Sequence, residues 1–129
     1  IEVTTFRAEG RYTDKRHPDE VRFAKTLEED LARRDFTINA MAIRTSESGL
    51  QNWESRVIDP FGGQDDLRDK LIRAVGNSEE RFGEDALRMI RAVRFATQLG
   101  FTIEDTTADA IKKLSGTLEF IAGERIRDE

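Results

Sequence analysis

The chain has 129 residues, of which 37% are hydrophobic and 36% are charged, and this size suits one ordinary domain or two small ones. No apolar run approaches the roughly 20 residues that a membrane helix needs, and no signal peptide is visible, so we expect a cytoplasmic protein with no membrane partner. The absence of cysteine and the single histidine, His17, exclude disulfides and thiolate or histidine-rich metal sites, which leaves hard cations held by carboxylates, such as magnesium. A net charge of −5 argues against a nucleic-acid partner, although clustered arginines keep a local basic cleft open as an alternative.

The first 26 residues combine a strand pattern with a polar stretch. Residues 1–7 are rich in β-branched side chains and alternate in polarity, which predicts a strand with Glu2 pointing away from Ile1 and Val3. Glu2 is then either a solvent-facing carboxylate or a carboxylate beside a metal ion on a central strand. Residues 8–26 are polar and show no periodicity, so they predict a flexible loop. Because the chain starts within a strand and ends within a predicted helix, we expect it to be part of a longer protein.

A charged run follows at residues 27–43. Arg33 and Arg34 are adjacent and precede Asp35, and Asn39 comes four residues further on. Arginines bind phosphate oxygens bidentately, so this run suits a phosphate clamp beside a carboxylate that binds a ribose. The alternative is a helix end with a charged tail and an Asp or Thr cap, and the spacing alone does not separate the two.

The next stretch predicts a hairpin that leads into a helix. Residues 46–49 are typical of a turn, and Val57–Ile58 predicts a short strand. Gly62 and Gly63 precede a predicted helix over residues 64–70. Such a glycine pair is either a flexible joint, which we favour, or a close approach of the backbone to a phosphate.

The pattern changes from strand-rich to helical near Gly76. Residues 71–75 predict a last strand, and Ser78 predicts the cap of a short helix. We therefore predict two domains, at residues 1–76 and 77–129. Longer helices are predicted over residues 84–99, 102–114 and 120–129.

The helix predicted over residues 84–99 carries an apolar row and a charged row. An Asp three residues before an Arg, as in Asp85 and Arg88, usually forms an ion pair on the protein surface. Because this helix is apolar on most of its circumference, we expect its charged row to line a groove instead. Asp accepts from an exocyclic amine and Arg donates to a ring nitrogen or carbonyl, so this pair could select C and A over G and U. The apolar row is Leu87, Ile90 and Val93 with Met89, Ala92, Ala96 and Leu99, and the charged row is Asp85, Arg88, Arg91 and Arg94.

Four motifs stand in a fixed order along the chain. They are the Arg-Arg-Asp run at 33–40, the Asp-Pro-Phe-Gly-Gly run at 59–67, the pair 81–82 with the Glu-Asp-x-x-Arg run at 84–92, and residues 124–129. Together they resemble the class II tRNA nucleotidyltransferases and bacterial poly(A) polymerases, the family of the CCA-adding enzymes. The resemblance covers nearly the whole chain, and four ordered motifs are far more specific than any one of them.

The resemblance implies an α+β fold. Residues 1–76 would be the C-terminal portion of a polymerase-β-like nucleotidyltransferase head, with 8–26 as its flexible loop, and residues 77–129 would be a helical neck. In this family the Arg-Arg-Asp motif contacts the triphosphate and sugar of the incoming nucleotide, and the Glu-Asp-x-x-Arg motif is a protein template for C and A. The implied nucleotide-binding residues are Arg33, Arg34, Asp35, Asn39, Asp85, Arg88 and Arg91, and the implied hinge or structural residues are Gly62, Gly63, Glu124 and Arg125.

One part of the family pattern does not occur in this chain. The family has a glycine-rich turn followed by Asp-x-Asp before the strand that matches residues 1–7, and these carboxylates hold the magnesium ions that activate the RNA 3′-hydroxyl and neutralise the departing pyrophosphate. Glu2 stands where the superfamily has its third carboxylate, so it is the catalytic and metal-binding candidate. One carboxylate does not assemble a two-metal site, so we expect this chain alone to bind nucleotide without efficient catalysis.

We therefore expect part of a template-independent RNA nucleotidyltransferase that adds C and A from CTP and ATP to the tRNA 3′ end, with magnesium as its cofactor. An A-adding enzyme or poly(A) polymerase of the same family is an alternative, although Ala-Met-Ala after Asn39 disfavours a poly(A) polymerase and the loop at 8–26 disfavours a C-only enzyme. Two other classes remain: a non-catalytic nucleotide- or RNA-binding module, and a helical adaptor in which Asp85 and Arg88 form an ion pair. The sequence does not indicate an oligomeric state.

Overall fold

The computed structural model describes residues 7–9, 21–23, 26–44 and 57–129. Within these ranges the chain combines short strands with helices, which confirms the predicted α+β class. Glu2 and the turn predicted at residues 46–49 lie outside the described residues. Across the ranges that are described, no helix is long and apolar enough to span a bilayer.

The two ends of the stretch predicted as a loop are paired strands. Strand β1 (Arg7–Glu9) runs antiparallel to strand β2 (Val21–Phe23), with Arg7 opposite Phe23. Each strand supplies hydrogen-bond partners for the backbone of the other, and local polarity does not reveal such pairing. The loop prediction for residues 10–20 lies outside the described residues.

The charged run begins in a short helix and continues as an extended segment. Helix α1 (Leu27–Ala32) is capped by Thr26, and its Leu31 is fully buried. Beyond the helix, the backbone carbonyl of Asp35 accepts from the N–H of Val75 at 3.0 Å. The N–H of Thr37 in turn donates to the carbonyl of Arg73 at 3.0 Å, at the start of a 3₁₀ turn. Two long-range backbone bonds therefore fix the position of the Asp35 backbone.

The hairpin and the helix after the glycine pair form as predicted. Strand β3 (Ala42–Ile43) pairs antiparallel with strand β4 (Val57–Ile58), and helix α2 (Gly63–Asp69) follows. The carboxylate of Asp59 accepts from the N–H groups of the first two residues of α2, at 2.7 and 2.8 Å. Burial raises the pKa of Asp59, but these backbone hydrogen bonds outweigh it, and the net shift is downward.

The helix predicted over residues 102–114 begins three residues late. Strand β5 (Leu71–Ile72) pairs in parallel with strand β6 (Thr102–Ile103), so the first two residues of the predicted helix are a strand. Glu104 then caps helix α5 (Asp105–Leu114) by accepting from the backbone N–H of its third residue. The prediction was wrong here because a strand partner 31 residues away leaves no local signal.

The long helix predicted over residues 84–99 begins three residues late, at Leu87, because the preceding short helix extends to Glu84. Helix α3 (Ser78–Glu84) is capped by the side chain of Asn77, not by Ser78 as predicted. Asp85 is extended, with φ −142° and ψ 107°, and helix α4 (Leu87–Leu99) starts after it. The helix ends at Gly100, whose φ of +67° is readily adopted by glycine.

One hydrophobic cluster includes residues from both sides of Gly76. Met89 and Ala92 turn inward from α4, whereas Val93 and Leu99, which belong to the same predicted apolar row, are 51% and 49% exposed. The apolar row is therefore only partly buried, because the inward face of α4 depends on which elements pack against it. The buried members of the cluster are Phe36, Ile72, Ala74, Phe82, Ala86, Met89, Ala92 and Ala110.

The helix predicted over residues 120–129 begins three residues late, at Gly123. A 3₁₀ helix (Ser115–Phe120) is followed by Ile121 in an extended conformation, and then by helix α6 (Gly123–Asp128). The short helix α6 brings Glu129 back toward α4.

A partly buried hydrogen-bond cluster at the start of α5 predicts a pH-dependent stability. The Glu104 carboxylate accepts from the hydroxyl and N–H of Thr107 and from the hydroxyl of Thr106, at 2.7–2.9 Å. Burial raises the pKa of Glu104, but these hydrogen bonds outweigh it and lower the pKa from 4.5 to about 2. A depressed folded-state pKa stabilises the fold above pH 4.5, and this contribution is lost as the pH falls toward 2.

We expect Glu104→Gln to lower the free energy of unfolding by about 1–2 kcal/mol at neutral pH, with most of the difference gone by about pH 2.5. Urea unfolding of both proteins at the two pH values measures this. A difference that stays constant with pH would contradict the assignment.

Candidate functional site

The two adjacent arginines share one buried carboxylate. Oδ1 of Asp30 accepts from Nε and Nη2 of Arg33 at 3.1 and 2.9 Å, and Oδ2 accepts from Nη2 of Arg34 at 3.2 Å. Arg34 also donates from Nη1 to the backbone carbonyl of Asn39 at 3.1 Å. The guanidinium groups therefore lie side by side over α1 with defined orientations.

Asp35 joins this pair to helix α4. Its Oδ1 accepts from the N–H of Phe36 at 2.9 Å and from Nδ2 of Asn39 at 3.3 Å. Its Oδ2 accepts from Nη1 of Arg91 at 3.1 Å, and only 10% of the Asp35 side chain is exposed. Three residues predicted to bind nucleotide thus meet at one carboxylate.

Arg88 links the start of α4 to the end of α1. Its Nη1 donates to Oε2 of Glu84 at 2.6 Å and to the backbone carbonyl of Arg81 at 3.1 Å. Its Nη2 donates to the backbone carbonyl of Arg33 at 3.4 Å. Arg81 in turn donates to the carbonyl of Ala32 at 3.3 Å, so two arginines reach the carbonyl end of α1, where cations are favourable.

Asp85 lies before α4 and not on its surface. Its Oδ1 accepts from the N–H of Leu87 at 3.1 Å, and its Oδ2 pairs with Nη2 of Arg125 at 3.3 Å. The prediction of one helical row running from Asp85 through Arg88 was therefore wrong, because the backbone is extended at Asp85. Asp85 pairs with Arg125 and Arg88 pairs with Glu84, which contradicts the alternative in which Asp85 and Arg88 form an ion pair.

The other two arginines of the charged row converge on the last residue. Glu129 accepts from Nε and Nη2 of Arg91 at 3.0 and 3.1 Å, and from Nε and Nη2 of Arg94 at 2.9 and 2.7 Å. The hydrogen bonds from Arg91 lower the pKa of Glu129, burial opposes them, and those from Arg94 add to the lowering. The same bonds raise the pKa of Arg91, so both groups are charged throughout the physiological range.

An open and mainly apolar pocket of about 760 Å³ lies elsewhere, between the 3₁₀ turn, the β3–β4 hairpin and α2. None of the described residues predicted to bind nucleotide lines it, so the arginine cluster and not this pocket is the candidate site. Its lining residues are Ile38, Met41, Ala42, Ile43, Val57, Gln64, Leu67 and Arg68.

Comparison with known families agrees with the motif order. Residues 1–73 match the family model of the Poly A polymerase head domain. The chain belongs to the Poly A polymerase head domain family. In this family member, residues 100–129 also match the model described as the probable RNA and SrmB- binding site of polymerase A.

Relatives of this head-domain chain are named CCA-adding enzymes. The one from Oceanobacillus iheyensis is 54% identical over 128 residues, which are 99% of this chain and 30% of that enzyme. The crystal structure of the Bacillus stearothermophilus CCA-adding enzyme in complex with CTP has a TM-score of 0.78 at 46% identity, covering 96% of this chain and 27% of that one. A complex of CCA-adding enzyme with ATP has a TM-score of 0.67 at 37% identity, and the match covers 79% of this chain and 23% of that one. The resemblance inferred from the motifs is confirmed, and the chain spans under a third of these relatives.

The glycine pair of this head-domain chain has a local geometric role. Gly62 has a φ of +74°, and a Cβ on Gly63 would lie 2.3 Å from the carbonyl oxygen of Thr37. The pair therefore lets α2 approach the 3₁₀ turn closely, and a hinge at this point stays a prediction. Of the two structural residues predicted in the last motif, Arg125 contacts Asp85, whereas Glu124 is exposed.

In the described part of this family member, acidic side chains do not gather into a cluster that could hold a metal ion alone. Within it, no group of three or more His, Cys, Asp or Glu side chains is arranged to hold a metal ion. Glu2, the candidate ligand, lies outside the described residues.

Three carboxylates that hold the site together were not predicted. Asp30 and Glu84 each stand three or four residues before the arginines they bind, so helical spacing is a signal that could have found them. Glu129 is 38 residues from Arg91, and no sequence spacing indicates that contact.

Proposed function

We propose that this chain is the nucleotide-selecting part of a template-independent RNA nucleotidyltransferase that adds C and A from CTP and ATP to the tRNA 3′ end. The observation that carries the proposal is the double link between the Arg33–Asp35 run and α4. Arg91 binds the Asp35 carboxylate, and Arg88 donates to the Arg33 carbonyl. Groups suited to phosphate and sugar are thereby held next to groups suited to a base.

The phosphate and sugar side of the site is the Arg33–Arg34 pair with Asp35 and Asn39. Two guanidinium groups offer paired N–H donors to phosphate oxygens. Asp35 and Asn39 are hydrogen-bonded to each other and suit the hydroxyl groups of a ribose. We assign the triphosphate to the arginines and the sugar to the second pair.

The base side is Asp85 with Arg88. A carboxylate accepts from the exocyclic amine of cytosine or adenine, and a guanidinium donates to the ring acceptor beside it. Uracil and guanine present a carbonyl where the amine would be, and two facing acceptors repel each other. Both side chains are held by neighbours, Asp85 by Arg125 and Arg88 by Glu84, so the base meets an ordered edge.

The reaction of the whole enzyme is a nucleotidyl transfer. The RNA 3′-hydroxyl releases its proton to solvent as its oxygen forms a bond to the α-phosphorus of CTP or ATP. The bond from that phosphorus to the bridging oxygen breaks, and pyrophosphate leaves. We propose magnesium as the cofactor, with Glu2 among its ligands, where it would stabilise the charge on the phosphates. Because the longer relatives are named CCA-adding enzymes, we favour CCA addition over A addition or poly(A) synthesis. We also propose a cytoplasmic location.

Competition binding with the four ribonucleoside triphosphates tests the proposal. A fluorescent CTP analogue is bound to the 129-residue chain with magnesium and displaced by CTP, ATP, GTP or UTP. We expect CTP and ATP to displace it at concentrations about tenfold or more below those needed for GTP and UTP, since unpaired polar groups discriminate strongly. Equal displacement by all four would indicate a phosphate-binding module without base selection. No binding of the CTP analogue would also contradict the proposal.

A further inference from the structure

The carboxylate beneath the two adjacent arginines is buried, although it lies on a short surface helix. Asp30 is 4% exposed overall, and its two oxygens accept three hydrogen bonds from Arg33 and Arg34. Arg33 uses both Nε and Nη2 on one oxygen, which fixes the plane of its guanidinium group. Arg34 uses the other oxygen, so one carboxylate orients both cations.

An exposed ion pair with the same spacing provides a comparison for the buried Asp30. Asp65 and Arg68 also stand three residues apart, on α2, and their ion pair is 2.8 Å long with 73% of each side chain exposed. Such surface pairs contribute little. The Asp30 side chain is only 6% exposed, so leaving its charge without partners would be costly. Asp30 therefore restrains the arginines that it binds, whereas the exposed pair of Asp65 and Arg68 provides little restraint.

We propose that Asp30 is a positioning residue for polyphosphate binding: it holds Arg33 and Arg34 side by side before the nucleotide arrives. The proposal rests on the assignment of these arginines to the triphosphate. Arginine side chains have high rotamer freedom, and a binding site that orders them in advance loses less entropy when the anion binds. The carboxylate also screens the repulsion between two adjacent cations. Asp30 acts through the arginines and does not itself touch the anion.

Loss of the Asp30 carboxylate is therefore expected to weaken the binding of polyphosphates selectively. Ordering two side chains on binding instead of beforehand is expected to weaken polyphosphate binding by about tenfold. A ligand with one phosphate engages the pair less, and its affinity is expected to change by less than about twofold.

The experiment uses the 129-residue chain and two probes, inorganic tripolyphosphate and CMP, in titration calorimetry. We expect Asp30→Asn to weaken tripolyphosphate binding about tenfold and CMP binding by less than about twofold. Asp65→Asn removes the exposed pair with the same spacing and is expected to change neither. If Asp30→Asn does not fold, Asp30→Glu, which keeps the charge but displaces it, is expected to give the same selective loss.

A variant in which both Arg33 and Arg34 are changed to Gln separates positioning from a merely structural role. If Asp30 acts through these arginines, Asp30→Asn added to that variant causes no further loss of tripolyphosphate binding. A further loss of the full size, an equal loss for both probes, or no binding of tripolyphosphate to the wild type would each overturn the proposal. Because tripolyphosphate carries no base, a failure of base selection would leave this result intact.

Discussion

Replacing Gly63 with alanine is expected to lower the free energy of unfolding by about 2–3 kcal/mol, in the range of an overpacked core. A Cβ at this position would lie 2.3 Å from the carbonyl oxygen and 2.8 Å from the carbonyl carbon of Thr37, and 3.0 Å from Cγ of Met41. The first two atoms belong to the backbone of the 3₁₀ turn, so no side-chain rotation relieves the clash. Either α2 or the turn must move, and the turn carries Asn39.

Gly83→Ala is the matched control for this substitution. Gly83 lies in α3, and a Cβ there meets nothing within 4 Å, so alanine is expected to be neutral or to stabilise by up to about 1 kcal/mol. Urea unfolding of both variants measures the difference. Equal stabilities would mean that α2 does not need its close approach to the turn.

Replacing Arg91 with methionine is expected to cost about 2 kcal/mol of stability and to weaken CTP binding. Arg91 makes two hydrogen bonds to Glu129 and one to Asp35, and these carboxylates are 9% and 10% exposed. The Arg91 side chain itself is 34% exposed, so solvent screening keeps the cost below that of a fully buried pair. Glu129 keeps Arg94, whereas Asp35 loses its only described link to α4.

A double-mutant cycle of Arg91→Met with Glu129→Gln isolates the pair, and we expect a coupling energy of about 1 kcal/mol. Arg68→Met, which removes the exposed pair with Asp65, serves as the control and is expected to change stability by less than about 0.5 kcal/mol. If Arg91→Met behaves like this control in urea unfolding, the bridge from Asp35 to Glu129 contributes nothing to the fold.

Local patterns predicted the elements whose signals are local. The β3–β4 hairpin and α2 follow from turn residues and a glycine pair, and the end of α4 follows from Gly100. The late start of α4 was missed because Glu84 and Asp85 are acceptable helix residues, and only tertiary contacts decide where the helix begins. The exposure of Val93 depends likewise on which elements pack against α4.

The candidate site was predicted as a set of residues, not as a set of contacts. The motifs identified both Asp35 and Arg91, but their 3.1 Å contact joins residues 56 positions apart. The partner of Asp85 was placed at Arg88 from helical spacing, whereas the structure has Arg125 there, 40 positions away. Sequence spacing reports neighbours within one element, and the convergence of α1, α4 and α6 comes from the folded chain.

Asp85 selects the base in the proposed site, and the ratio of CTP to UTP affinity in Asp85→Asn tests this role most directly. An asparagine keeps an oxygen that can accept from Leu87, but its amide can also donate to the carbonyl of uracil. We expect this ratio to fall by about tenfold or more, mainly because UTP gains affinity. Arg125→Gln removes the ion-pair partner of Asp85 and keeps the carboxylate, so it is expected to retain the preference for CTP. An unchanged ratio in Asp85→Asn would contradict the account and leave Asp85 as a residue that only holds the start of α4.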